Sequence, residues 1–356
     1  MEITRRELGR LAVAAVPVAR LMAAKPNSNF DGVQVGVITY SYRSMPGAND
    51  AKELLKYIVD SGISAIELLG PAAEIYAGAA APAGRGGGGG GGGRQPMTPE
   101  QQAAQRARAE EIKKWRLSVS MDKYKELRNL YNQAGVTIYA FKLEPNPSMS
   151  DEEYEYIFHV ADTLAGCGKR VLNPRKRPSS KREINNLRAR FGGRKGFFRN
   201  LLGANHVTLE LSNNLEFTKR LGEFAARRHM RVAYHAHTQA TMTAWDAVLE
   251  QSMGNAINLD CGHYVAGTSE SPIPLIQKRH DRIASMHLKD RQKGTSGGAN
   301  LPWGQGETPI REILQLMRKE KYTFPASIEL EYQIPEGSDA VAETAKCVQF
   351  CKNALA

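Results

Sequence analysis

Short apolar runs alternate with helix-favouring segments eight times along the chain, from Val33 to Leu355. Most of the later steps from one run to the next are roughly 26 residues long, the length of a strand–loop–helix–loop unit. Such runs are typical of parallel strands that are buried on both faces. Eight units predict an α/β fold in a single domain, a closed (β/α)8 TIM barrel over residues 33–355. A doubly wound open sheet is the alternative, but no Gly-x-Gly-x-x-Gly follows the first strand.

Two segments interrupt this repeat and are predicted to be insertions. The first, residues 78–98, contains eight consecutive glycines and is expected to be a loop that cannot pack. The second, residues 168–200, contains 12 Lys or Arg residues and one acid, so its net charge of 12 − 1 = +11 equals that of the whole chain. Because the excess charge belongs to one segment, it does not indicate that the barrel itself binds nucleic acid.

The first 24 residues, 1–24, have the pattern of an export signal. Arg5 and Arg6 precede a moderately apolar run and small residues at a candidate cleavage site, which predicts a twin-arginine signal and a periplasmic enzyme. An ordinary amphipathic first helix is the alternative. No run reaches the ~18 apolar residues that a membrane span needs. The four cysteines form no Cys-x-x-Cys pair, which favours free, buried thiols over a structural bridge.

Metal-binding side chains lie at the predicted C-terminal ends of the strands, where active sites of such barrels are found. Asp260 closes one apolar run, His287 the next and Glu329 the last. Two carboxylates and an imidazole form a mixed oxygen and nitrogen ligand set, which suits Mn²⁺, Mg²⁺, Co²⁺ or Zn²⁺ with positions open for a substrate. We therefore predict one divalent metal ion. The other candidates at strand ends are Glu67, Glu210, His235, His237, Lys289 and Glu331.

Several motifs in the second half of the chain form a recognisable set. They are Tyr234-His-Ala-His, Asn258-Leu-Asp-Cys-Gly-His-Tyr, Met286-His-Leu-Lys-Asp, Leu301-Pro-Trp-Gly-Gln-Gly and Ile328-Glu-Leu-Glu-Tyr. The last four resemble the sugar phosphate isomerase/epimerase superfamily, which has a xylose isomerase-like barrel. The first resembles its inosose dehydratase-like branch. The resemblance covers roughly Val33 to Leu355 apart from the two insertions, and it implies a metal-dependent sugar enzyme.

The resemblance also implies roles for individual residues. In that superfamily a Glu, an Asp, a His and a Glu hold one divalent ion, and the last three match Asp260, His287 and Glu329. We predict Glu210 as the first ligand, with His235 contacting the metal ion or the substrate. His263 matches a substrate-contacting His. The predicted catalytic residues are Glu210, Glu329, His235 and Lys289, and the predicted substrate-binding residues are Glu67, His237, His263, Glu331 and Trp303.

Together these residues predict an enzyme that moves a proton next to the carbonyl group of a sugar or keto-sugar through an enediolate, as an isomerase or epimerase does. Lys289 would stabilise the developing oxyanion. One alternative is a lyase of the inosose dehydratase type that acts on a cyclitol or keto-sugar. Another is a non-catalytic barrel that binds a sugar, or a polyanion through the basic segment and its phenylalanines. A small carbohydrate is the expected partner, nucleic acid is not, and a homo-oligomer stays open.

Overall fold

The computed structural model of the chain describes residues 25–81, 98–166 and 206–356. The predicted export signal, residues 1–24, lies outside the described residues. So do the whole of the basic segment, 168–200, and most of the glycine-rich segment, 78–98. The predictions about these segments, and that of periplasmic export, stay predictions. Within the described ranges, no helix combines the length and the apolar character that a membrane crossing requires.

Eight parallel strands form a closed sheet, which confirms the predicted (β/α)8 barrel. Each strand pairs with the next one along the chain, and the first also pairs with the last. The strands are β1 (Val33–Ile38), β2 (Ala65–Leu69), β3 (Thr137–Lys142), β4 (His206–Glu210), β5 (Arg231–His235), β6 (Asn255–Asp260), β7 (Ile283–Leu288) and β8 (Ala326–Ile328).

Helices connect the strands and bury one face each against the barrel or its neighbours. They are α1 (Ala51–Asp60), α2 (Gly70–Tyr76), α3 (Pro99–Ser118), α4 (Asp122–Gln133), α5 (Asp151–Ala165), α6 (Leu215–Arg227), α7 (Asp246–Gln251), α8 (Cys261–Thr268), α9 (Ile273–Arg279), α10 (Ile310–Glu320) and α11 (Ala340–Ala354). The sequence pattern did not resolve α2, α8 and α9, which contain 7, 8 and 7 residues. Helix α3 differs from the others because none of its residues is buried.

Helix α3 is held to its neighbours mainly by a buried ion pair, with a second ion pair between Lys113 and Glu153 and an edge contact of Trp115 with Tyr156. The Arg116 guanidinium donates to both carboxylate oxygens of Glu74, at 2.7 and 3.0 Å. Tyr156 also donates to Glu74, at 2.9 Å. A planar guanidinium that bonds a carboxylate through two parallel contacts fixes both distance and direction. A charged helix can therefore keep a defined position without an apolar face.

Two strands are shorter than the sequence pattern predicted. Strand β5 ends at His235 and β8 ends at Ile328. As a result His237, Glu329 and Glu331 lie on the segments that leave the barrel rim. The predicted free thiols are confirmed for Cys261, Cys347 and Cys351, which are all buried, while Cys167 lies outside the described residues.

A polar cluster lies inside the barrel, towards the N-terminal ends of the strands. His206 Nε2 is 2.8 Å from Ser285 Oγ, and its ring stacks on Tyr139. The Tyr139 hydroxyl in turn pairs with Ser327 Oγ. Burial lowers the pKa of His206 from its ordinary value of 6.5 to about 4. The ring is therefore neutral at physiological pH, and the cluster forms a floor beneath the strand ends.

The depressed pKa of His206 predicts an acid-sensitive contribution to stability. Folding favours the neutral ring, so this contribution is complete above pH 6.5 and is lost as the pH falls towards 4. Its size is up to about 3 kcal/mol in the free energy of unfolding. We expect the free energy of unfolding of the wild type, measured with urea, to fall as the pH is lowered from 6.5 to 4. His206→Gln retains a polar group for Ser285 but does not titrate, so it should remove that part of the slope. An identical pH slope in the variant would contradict the assignment.

Candidate active site

The C-terminal ends of β6, β7 and β8 bring three predicted metal ligands together. Asp260, the last residue of β6, is paired in register with His287 of β7, and Glu329 follows β8 directly. His287 Nδ1 lies 2.9 Å from Glu329 Oε2. All three side chains are buried. Residues far apart in sequence meet here because parallel strands end at the same rim of the barrel.

Lys289 provides a positive charge between these carboxylates. Its Nζ atom lies 2.9 Å from Asp260 Oδ2, 2.9 Å from Glu329 Oε2 and 2.7 Å from Glu331 Oε2. Gly262 makes room for it, since a Cβ atom at that position would collide with the Lys289 side chain. Burial opposes the charged amine, but the three carboxylates outweigh burial and raise the pKa of Lys289 above its ordinary range. The same charge lowers the pKa of Asp260 and Glu329 against the effect of burial.

His287 is held between two carboxylates. Its Nε2 atom lies 2.8 Å from Glu67 Oε2, so that Nδ1 faces Glu329. Glu67 is fully buried and also accepts a hydrogen bond from Thr208 at 2.5 Å. Burial would raise the pKa of Glu67, but the charge and hydrogen bond of His287 bring it to about 2. A carboxylate on the far nitrogen of a histidine orients the ring towards whatever binds the near nitrogen.

His235 is oriented by Asn258 on the neighbouring strand. Asn258 donates through Nδ2 to Ser285 Oγ at 2.7 Å, which leaves its Oδ1 to accept from His235 Nδ1 at 2.8 Å. The proton is therefore on Nδ1, and Nε2 carries a lone pair. The Nε2 atom lies 3.9 Å from Asp260 Oδ2. Burial, together with the charge of His287, lowers the pKa of His235 to about 4, so the ring is neutral.

The donor atoms that converge here fit a divalent metal ion. Asp260 Oδ2, His287 Nδ1 and Glu329 Oε2 are buried and lack a hydrogen bond of regular geometry. His235, Asp260 and His287 each offer one ligand atom, and these atoms lie within 4.8 Å of one another. Buried polar atoms in proteins are nearly always hydrogen-bonded. In the metal-free protein these atoms form ion pairs with Lys289 and with one another. Two carboxylate oxygens and an imidazole nitrogen nevertheless converge here, and a divalent ion that displaced the Nδ1 proton of His287 would have the ligand set that a metal site requires.

Glu210, the predicted first ligand, lies in a separate charged group at the ends of β3, β4 and β5. Its Oε1 atom is 3.0 Å from Lys142 Nζ and its Oε2 atom is 3.6 Å from His237 Nε2. Burial would raise the pKa of Glu210, but Lys142 lowers it. The His237 side chain is 53% exposed and that of Glu210 is 41% exposed, so both can meet solvent or substrate. Metal ligation by Glu210 stays a prediction.

His263 and Glu331 lie on the other side of Lys289. His263 is the third residue of α8, and its amide donates a 2.7 Å hydrogen bond to the side chain of Asp260, which caps the helix N-terminus. Its Nε2 atom is 3.6 Å from Glu331 Oε2, and its Nδ1 atom contacts Arg291. Trp303, another predicted substrate contact, packs edge-on against Phe350 of α11, and its role stays a prediction.

Sequence reasoning missed four residues of this region: Lys142, Thr208, Asn258 and Arg291. Lys142 could have been found, because it is the charged last residue of an apolar strand, which is the pattern that identified Asp260. Asn258 and Thr208 are polar residues two positions before a strand end, on the same face as the residues they precede. No sequence pattern identifies Arg291, since its contact with His263 depends on a turn at Gly298 that the sequence does not specify.

The barrel fold agrees with a comparison to known proteins. The chain belongs to the xylose isomerase-like TIM barrel family, whose model matches residues 107–351. It is 28% identical over 171 residues to an inosose dehydratase from Clostridium botulinum (strain Eklund 17B / Type B). That match covers 42% of this chain and 57% of the relative, so the chain spans little more than half of the relative's length.

Two solved structures are similar over their whole length. One is the IOLI protein with a zinc atom bound, at a TM-score of 0.52 and 11% identity, which covers 90% of this chain and 98% of that one. The other is the 3-keto-D-glucoside 4-epimerase YcjR from E. coli, at a TM-score of 0.51 and 11% identity, covering 90% and 100%. At such identities the likeness establishes the fold alone. One of the two proteins that share the barrel, the IOLI protein, binds a zinc atom.

Proposed function

We propose that the chain is a divalent-metal-dependent enzyme that moves a proton at the carbon beside a carbonyl group of a sugar or keto-sugar, as an isomerase or epimerase. One observation carries this proposal. Asp260, His287 and Glu329 present buried oxygen and nitrogen atoms that converge at the barrel rim and make ion pairs but no hydrogen bond of regular geometry, while Glu210 and His237 nearby are partly exposed. Such a site suits proton transfer on a small polyhydroxylated molecule.

Asp260, His287 and Glu329 would hold the metal ion, and His235 or Glu210 would complete the ligand set. The ion would act as a Lewis acid that makes a proton beside a carbonyl group easier to remove. His235 is favoured as the fourth ligand because its free Nε2 atom faces Asp260. Lys289 retains Glu331 as a counter-ion when Asp260 and Glu329 bind metal.

Glu210 and its neighbours would move the proton. Glu210 is kept ionised by Lys142, so it can accept the proton from the substrate carbon. The electron pair of that C–H bond moves towards the carbonyl oxygen, where the Lys289 ammonium would stabilise the negative charge. Return of the proton to the adjacent carbon completes an isomerisation, and return to the opposite face of the same carbon completes an epimerisation.

Solvent hydrogen exchange tests this proposal directly. Metal-loaded protein is incubated in D₂O with a panel of keto-sugars, and proton NMR measures the loss of the signal beside the carbonyl group. We expect exchange with at least one substrate. Glu210→Gln separates its two candidate roles, because loss of exchange with metal retained identifies a base and loss of both identifies a ligand. No exchange on any member of the panel would count against the proposal.

Dehydration is the second candidate, and the inosose dehydratase similarity favours it. In that reaction the same proton is removed, and a hydroxyl group on the next carbon leaves as water after receiving a proton. Lys142 and His237 flank Glu210 and could supply that proton. The two reactions are distinguished in the same experiment, because dehydration produces an alkene conjugated with the carbonyl group, which absorbs in the ultraviolet.

A further inference from the structure

Four buried polar side chains form a chain of hydrogen bonds from the floor of the barrel to the candidate metal site. They are His206 on β4, Ser285 on β7, Asn258 on β6 and His235 on β5. Ser285 Oγ lies 2.8 Å from His206 Nε2 and 2.7 Å from Asn258 Nδ2. Asn258 Oδ1 in turn lies 2.8 Å from His235 Nδ1. Because the four side chains are buried, the direction of each bond constrains that of the next one.

The direction of these bonds follows from what each atom can donate or accept. The NH₂ group of the Asn258 amide only donates, so Ser285 Oγ accepts from it. Among the residues that the structure describes, the other hydrogen-bond partner of Ser285 Oγ is His206 Nε2. The single hydroxyl hydrogen of Ser285 therefore points to that atom. His206 accepts through Nε2 and carries its own proton on Nδ1, as only the neutral ring can do.

Glu67 supports this orientation of the Asn258 amide. Its Oε2 atom lies 3.5 Å from Asn258 Nδ2, and an ionised carboxylate only accepts. A reversed amide would turn its oxygen atom towards that negative charge. Reversal would also require Ser285 to donate to Asn258, and His206 would then have to donate to Ser285. The acceptor at His206 and the carboxylate of Glu67 thus favour the same arrangement.

We infer that His206, although it belongs to the floor of the barrel, is a positioning residue for His235. By accepting the Ser285 hydroxyl hydrogen, it leaves the oxygen of the Asn258 amide free to accept from His235 Nδ1. Without an acceptor at position 206, the buried Ser285 hydroxyl would gain one by turning that amide round, since a buried unpaired hydroxyl is costly. His235 Nδ1 would then face an NH₂ group, and the ring proton would move to Nε2.

The form of the His235 ring decides what its Nε2 atom can do in the site. That atom lies 3.9 Å from Asp260 Oδ2, and His235 belongs with Asp260 and His287 to a group whose ligand atoms lie within 4.8 Å of one another. A ring nitrogen that carries a proton can neither bind a metal ion nor accept a proton. The use of this lone pair rests on the proposed function, whereas the form of the ring does not.

The first test is NMR of the metal-free protein labelled with ¹⁵N-histidine, because nitrogen shifts distinguish the two neutral tautomers. His206→Leu and His235→Leu assign the two signals at neutral pH. We expect the Nδ1–H form for both rings in the wild type. An Nε2–H form of either ring in the wild type would overturn the proposal, and this readout needs no variant that folds poorly and no turnover.

Variants at position 206 then test the positioning role. In His206→Leu the His235 ring should lose its preference for the Nδ1–H form, whereas His206→Gln, whose amide oxygen can accept from Ser285, should keep it. Adding Ser285→Ala to His206→Leu removes the unpaired hydroxyl, so the double variant should return to the wild-type form of His235. An unchanged His235 in His206→Leu, or no recovery in the double variant, would overturn the proposal.

Calorimetric titration with Zn²⁺ measures the consequence for the site. His206→Leu should bind Zn²⁺ roughly 3- to 10-fold more weakly than the wild type, as expected for the loss of about one hydrogen bond, and His206→Gln should recover most of that loss. Tyr139→Phe is the matched control. It also removes a polar group from the floor, the hydroxyl that pairs with Ser327, but keeps the ring that stacks on His206.

Tyr139→Phe should bind Zn²⁺ like the wild type. An equal loss in Tyr139→Phe and His206→Leu would mean that any change in the floor loosens the site, and it would overturn the positioning role. A wild type that binds no Zn²⁺ would contradict the proposed function instead, and the tautomers seen by NMR would still decide the form of His235.

Discussion

Asp260→Asn should lose its metal ion while keeping its fold. Asp260 offers one oxygen atom, Oδ2, to the proposed metal site and uses the other to cap α8 through the His263 amide. Asparagine caps helices about as well as aspartate, so the substitution removes the ligand charge and leaves the cap. Loss of a partner that only orients a ligand costs about 10- to 100-fold in metal affinity. We expect loss of a ligand itself to cost at least about 100-fold.

Thermal unfolding with and without metal measures this effect. A ligand at about 100 times its Kd stabilises a protein by about 2.7 kcal/mol, so added Zn²⁺ or Mn²⁺ should raise the Tm of the wild type but not of Asp260→Asn. Asp339→Asn is a matched control, because Asp339 caps α11 through the Ala342 amide in the same way. Its metal response should equal that of the wild type. A full response in Asp260→Asn would remove Asp260 from the ligand set.

Glu67→Gln should weaken both metal binding and stability. Glu67 is fully buried and orients His287 through Nε2. Without that carboxylate the His287 ring is no longer fixed, and we expect a loss of about 10- to 100-fold in metal affinity. The metal-free protein should also lose about 2 kcal/mol in the free energy of unfolding, because His287 loses one of its two carboxylate partners and keeps only Glu329. Calorimetric titration with metal and urea unfolding measure the two effects.

Glu74→Gln separates the two consequences of losing a buried carboxylate. Glu74 is buried and ion-paired with Arg116 of α3. It is neither a proposed metal ligand nor a residue that orients one. We expect this variant to lose stability to a similar degree and to bind metal like the wild type. If both variants lost metal affinity equally, the effect would be one of general destabilisation, and the orienting role of Glu67 would be wrong.

The barrel could be predicted from sequence because its determinants are local and repeated. Each buried parallel strand appears as an apolar run, and Asp260, His287 and Glu329 each follow such a run closely. Closure of the sheet then brings them together without further information. The ends of β5 and β8 were less predictable, because the apolar pattern continues past the point where the backbone leaves the sheet. After β8, for example, the Leu330 amide donates to Ser41 Oγ and not to a neighbouring strand.

The positions of hydrogen atoms were beyond sequence reasoning. The tautomer of His235 depends on how the Asn258 amide is turned, and that orientation is set by Ser285 on another strand. His263 depends on Arg291, which is positioned by the carbonyl group of Gly298 in a tight turn. Such networks need three-dimensional contacts between chain segments of unrelated pattern. They also decide which nitrogen of each imidazole ring carries the proton.

The most direct test of the account is the metal content of the purified full-length chain. Protein is loaded with Mn²⁺ or Zn²⁺, freed of unbound ions by gel filtration and analysed by elemental analysis, with Asp260→Asn beside it. The account predicts about one divalent ion per wild-type chain and little or none in the variant. A wild-type chain that retains no ion after loading would contradict it.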